Sequence, residues 1–145
     1  MSAENQVEID APAEDVFAVV ADPRTYPDWV VGCGRIRAVD PDWPRPGSRF
    51  HHTVGAGPAK VDDSTTLVRI DPPSVLTLEA RAGAAGTACV TFTVEPIGGR
   101  RARVTIEEDT VDGAASHIPD AVTNAGLKLR NAETLRRLRK FVEGS

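Results

Sequence analysis

Aromatic residues are scarce in this chain: four phenylalanines, two tryptophans and one tyrosine, 5% of 145 residues. Cysteine is scarcer still. Cys33 and Cys89 make no disulfide framework and lack the company that a metal site needs. Cys89 falls in an apolar-alternating run, where a structural thiol is expected. No apolar run approaches membrane-spanning length, and the opening "MSAENQVEID" has no apolar signal region. No membrane insertion and a cytoplasmic location are therefore expected. The formal net charge of −4 argues against nucleic acid or an anionic membrane as the main partner. The basic cluster "GGRRAR" has no interleaved aromatics on which bases would stack.

Several chemistries are missing as motifs. No G-x-S-x-G is present, so acyl-enzyme hydrolysis has no support. "GAGPAK" lacks the third glycine and the following helix of a phosphate-cradling loop. His51 and His52 are neighbours in a strand-like run, where successive side chains face opposite ways and cannot easily share one ion. No metal and no cofactor are expected.

What remains is an ordinary globular composition, 41% apolar and 26% charged, long enough for one domain with a real core. A strand is predicted over Gln6–Asp10, where Val7 and Ile9 alternate with polar neighbours. Pro12 suits the first position of a helix with Glu14 and Asp15 in its first turn. Ala13, Val16, Phe17 and Val20 form its apolar face, and "DP" at 22–23 ends it. A short helix and a strand around Arg35–Val39 follow. Five further strand-like runs come next, at 48–54, 62–70, 74–82, 87–97 and 101–109, separated by turn residues. Strict alternation in Val90, Phe92, Val94 and in Ala102, Val104, Ile106 predicts one buried and one wet sheet face.

A long amphipathic helix closes the chain. Ile118, Val122, Ala125, Leu129, Ala132, Leu135, Leu138 and Val142 recur at steps of three and four. Lys128, Arg130, Arg136, Arg137, Arg139 and Lys140 are placed mostly on the opposite, solvated face. The whole predicts an α+β layer, an antiparallel sheet covered by one long helix.

The stretches "VEIDAPAEDVFAVVADPRTYPDW", "IDPPSVLTLEAR", "VTFTVEPIGGRRARVTI" and "RNAETLRRLRKFVEG" together resemble the START-like, helix-grip (SRPBCC) superfamily. The likeness is strongest to its polyketide cyclase/dehydrase-like branch and runs from about Gln6 to Glu143. It implies a single START-like ligand-binding domain over 1–145. In that fold a curved antiparallel seven-stranded sheet wraps around the C-terminal helix, with two short helices after strand 1. It also implies a cavity for an apolar small molecule, with a mouth at "VGAGPAK" (54–60), "AGAAGT" (82–87) and "DGAASHIP" (112–119). The superfamily holds enzymes, carriers and receptors, so the resemblance carries no universal catalytic set.

Given such a cavity, period-2 alternation turns His52 inward with Phe50 and Val54, and Glu108 and Thr110 inward with Ile106. An imidazole near a partly desolvated carboxylate suits proton transfer to or from an enolisable ketone, the chemistry of a cyclase or dehydratase. The other reading leaves both residues wet or hydrogen-bonded at strand ends. Val68, Leu78 and Phe92 from the strands, and Val122 and Leu129 from the helix, are further expected lining, with His117 at the mouth. Ala80, Ala88 and Ala102 are small and leave room. Tyr26 and Trp29, in "DPRTYPDW", either plug the end of the sheet–helix gap or wall the pocket. The alternatives are a non-catalytic carrier or sensor, or a protein-interaction module with a filled core. A monomer or homodimer is expected.

Overall fold

A computed structural model describes residues 3–54, 61–81, 86–112 and 120–144. It contains β1 (Ala3–Ile9), α1 (Ala13–Val20), a 3-10 turn (Pro23–Thr25), α2 (Tyr26–Trp29) and β2 (Cys33–Val39). Then come β3 (Arg49–Val54), β4 (Val61–Asp71), β5 (Val75–Arg81), β6 (Thr87–Gly98), β7 (Arg101–Asp112) and α3 (Asp120–Glu143). The strands form one seven-stranded sheet in the order β1-β7-β6-β5-β4-β3-β2, with every pair antiparallel. This is the α+β helix-grip arrangement. Consecutive strands are neighbours throughout, except that β1 pairs with β7 rather than with β2.

Local chemistry accounts for the elements. Pro12 caps α1, whose buried face is Ala13, Val16, Phe17 and Val20, with Glu14 and Asp15 in the first turn. Asp22 accepts a hydrogen bond from the Arg24 amide at 3.1 Å and starts the next turn. β1 begins at Ala3, earlier than alternation suggests, because β7 is long and pairs with it from Ala3↔Glu108 to Ile9↔Ala102. No helix among the described residues is long and apolar enough to cross a membrane.

The core lies between the concave sheet face and the helices, around Trp29, Leu67, Leu76, Val104 and Leu138, all fully buried. Four expected inward residues are corrected, Val68 and Leu129 from the expected lining and Ala125 and Ala132 from the expected apolar helix face. Val68 is 49% exposed: a bulge between Leu67 and Arg69 breaks the alternation, so Leu67 and Ile70, not Val68, face the core. Leu129 is 77% exposed. It precedes Leu135 by six residues, which at ~100° per residue turns it about 120° from the buried stripe. Ala125 and Ala132 are exposed with it. The buried stripe instead runs Asn131, Thr134/Leu135, Leu138, Val142, at the helical period.

Candidate functional site

Register creates the site. Pairing sets Thr65 of β4, Ala80 of β5, Ala88 of β6 and Thr110 of β7 side by side on the inner face. A row of small side chains across four strands cannot reach α3, and a cavity of about 370 Å³ opens between them. The next row, Leu78, Val90 and Glu108, forms part of the wall, as do Phe92 and Ile106 in the row beyond. Tyr26, Phe50 and Cys33 close one side, and Leu127, Arg130, Asn131 and Thr134 of α3 form the roof. The interior is therefore not filled by side chains.

Of the expected site residues, the structure brings Tyr26, Phe50, His52, Leu78, Phe92, Ile106, Glu108 and Thr110 together on this cavity. Trp29 is fully buried beside it and is not among its lining. Its ring meets Tyr26 and Phe92 edge to face, at centroid distances of 5.1 and 5.8 Å, and its Nε1–H donates to Thr25 Oγ1 at 2.9 Å. Trp29 thus packs against two of the wall residues. Val68 and Leu129, exposed on the outside, do not belong to the lining. His117 and the side chains of Val54 and Val122 lie outside the described residues, as do 55–60, 82–85 and 113–119 of the expected mouth.

Two polar features interrupt the apolar wall. His52 is 6% exposed, and its Nε2 lies 2.8 Å from Thr65 Oγ1. Its Nδ1 is sealed without a partner of hydrogen-bonding geometry among the described residues. Burial pushes the imidazole below its usual range; the nearby Asp63 carboxylate opposes this but does not prevail. Adjacent His51 turns the other way, to Asp40 Oδ1 at 3.3 Å. The second feature is Glu108, 5% exposed. Arg130 Nη2 and Asn131 Nδ2 both donate to its Oε1, the latter at 3.3 Å. The expected solvated position of Arg130 is corrected: its guanidinium turns from α3 to the β7 carboxylate. His52 and Glu108 occupy strands separated by three others and are not hydrogen-bonded to each other.

The thiol of Cys33 is pushed up to about 11 by burial, so it is protonated and unreactive at neutral pH. The Tyr26 phenol is raised chiefly by burial and donates to the Val20 carbonyl. No group of three or more His, Cys, Asp or Glu among the described residues is arranged to hold a metal ion. Sequence reasoning missed Thr65, Leu127, Arg130, Asn131 and Thr134. The α3 residues were accessible in principle, by running the period of Leu138 and Leu135 back through polar positions.

A family model described as polyketide cyclase / dehydrase and lipid transport matches residues 1–143. No curated protein matches the chain. Solved structures with the same fold include the Zhui aromatase/cyclase from Streptomyces sp. R1128, at 16% identity and a TM-score of 0.75, covering 99% of this chain and 93% of that one. A conserved protein from Geobacillus kaustophilus is 18% identical with a TM-score of 0.75, covering 100% and 97%. The di-domain ARO/CYC BexL of the BE-7585A biosynthetic pathway is 20% identical with a TM-score of 0.75. The alignment covers 99% of this chain and 46% of BexL.

Proposed function

The chain belongs to the polyketide cyclase / dehydrase and lipid transport family, and on that footing we propose that it binds a hydrophobic or aromatic small molecule between the sheet and α3. The observation that carries this reading is the cavity of about 370 Å³, which falls within the roughly 300–1,000 Å³ range of ligand sites. Its wall is largely aliphatic and aromatic, as burial of an apolar ligand requires. Replacing Ala88 with Trp fills the middle of the small row. Native protein extracted for mass spectrometry is expected to release a specific apolar molecule that Ala88→Trp, still folded, does not carry. Repeatedly empty extracts from the protein's own host, or the same molecule on both proteins, would overturn the reading.

A second reading, a cyclase or dehydratase acting by acid–base chemistry, draws support from His52. A neutral, buried imidazole beside an apolar cavity has the protonation state a general base needs. Glu108, bonded to Arg130 and Asn131, serves better as a fixed hydrogen-bond acceptor than as a proton donor. Turnover of an enolisable ketone that vanishes in His52→Ala supports the enzyme. Tight binding without turnover, unchanged in that variant, leaves a carrier or sensor.

A further inference from the structure

We propose that the ligand is an uncharged molecule bearing a hydroxyl group, phenolic or alcoholic, whose O–H donates to Oε2 of Glu108. The inference rests on the binding reading above and narrows its ligand.

The geometry of Glu108 carries it. A carboxylate offers two oxygens and about four acceptor positions. Here the protein's donors, Arg130 Nη2 and Asn131 Nδ2, both converge on Oε1. Among the described residues no donor reaches Oε2. A half-used acceptor on a side chain 6% exposed, set in the cavity wall, leaves a place for a donor from the ligand. A hydrogen bond to a charged group in such surroundings is among the stronger ones.

Charge decides against an anion. The Glu108–Arg130 pair has no net charge, so Arg130 is not a spare cation. His52 is held neutral by burial and Cys33 stays protonated. Arg81, the other cation among the described lining residues, has a side chain 62% exposed and faces Asp63 at 3.9 Å. A ligand carboxylate would therefore enter a low-dielectric site next to Glu108 with no free cation among the described lining residues to meet it. A plain hydrocarbon fits the apolar wall but leaves Oε2 unsatisfied once water is displaced.

Calorimetric titration at pH 7 with 2-naphthol, naphthalene and 2-naphthoate tests this on the native protein. We expect 2-naphthol to bind about tenfold or more tightly than either of the others. In Glu108→Gln, checked for folding by its thermal melt, Arg130 loses its counter-charge, and the preference should shift from 2-naphthol toward 2-naphthoate. Equal affinity for naphthalene and 2-naphthol, or 2-naphthoate binding as well as 2-naphthol to the native protein, would overturn the inference while leaving the binding reading intact. An unchanged preference in folded Glu108→Gln would do the same. Failure of all three probes to bind would overturn the binding reading itself.

Discussion

Asn131 Nδ2 lies 3.3 Å from Oε1 of Glu108, joining the roof helix to the sheet at the cavity wall. Asn131 is 1% exposed and Glu108 5%, so the bond between them is shielded from bulk water. Together with the Arg130 bond to the same oxygen, this places a polar anchor where the apolar stripe of α3 would otherwise continue.

Asn131→Ala should destabilise the fold by about 2 kcal/mol, the scale of losing one hydrogen bond to a buried charged group. Asn131→Asp should be worse at pH 7, because it sets a second carboxylate against Glu108. The gap between the two variants should narrow as the pH is lowered toward 4, where carboxylates protonate. Urea unfolding at both pH values reads this; equal midpoints for the two variants at pH 7 would contradict it.

What could be read beforehand follows from which patterns are local. Period-2 alternation placed Phe92, Ile106, Glu108 and Thr110 on one face because β6 and β7 pair without interruption across those positions. The α1 face was equally legible, since eight residues span little more than two turns and leave no room for phase drift. Val68 was lost to a bulge, which is a property of the β4–β5 pairing and has no signature in β4 alone. Leu129 was lost because steps of three and four accumulate rotation, so an apolar tally over six turns chose the wrong phase. The small-residue row was hidden for a further reason. Ala80 and Ala88 stood out as small, but only the register across four strands aligns them with Thr65 and Thr110.

His52 should make stability fall as the medium is acidified. Its folded value lies below the usual 6.5, so between the two values the unfolded chain binds the proton and the native protein does not. Stability from this group is complete above 6.5 and declines as the pH drops through and below it. In His52→Phe that component should be absent, so the loss of unfolding midpoint between pH 7 and pH 5 should be smaller than in the native protein. An NMR titration of the native imidazole should place its midpoint below 6.5; a midpoint above that value would refute the assignment.

Gly34 should not tolerate a side chain without loss in the β2–β3 edge. An added Cβ would sit 2.3 Å from Thr53 Oγ1, far inside contact distance. That hydroxyl accepts from the Arg35 amide at 2.8 Å, at the irregular register between Cys33 and Ile36. Gly34→Ala must rotate Thr53 away and lose this bond, at a cost of about 1 kcal/mol. Faster amide hydrogen exchange at Arg35, with core amides of β6 and β7 unchanged, is the expected signature. A variant as protected at Arg35 as the native protein would show that the strand accommodates the methyl group.

Trp29 should prove structural first and a sensor of the cavity second. It is fully buried, and its ring contacts Tyr26 and Phe92, two cavity residues, while staying out of the lining. Truncation to Ala removes the wedge between α2 and the sheet and should cost about 3–5 kcal/mol. Trp29→Phe should lose less, because it keeps much of the apolar volume and forfeits mainly the bond to Thr25. A ligand in the cavity would press on Tyr26 and Phe92 before it reached the indole. In Trp43→Phe, which leaves Trp29 as the one tryptophan, the emission should therefore shift little on addition of excess naphthalene, read with excitation chosen to avoid the probe. By contrast, unfolding should red-shift it strongly as the ring meets water. Trp29→Ala with a native urea midpoint would show that the ring is dispensable to the fold.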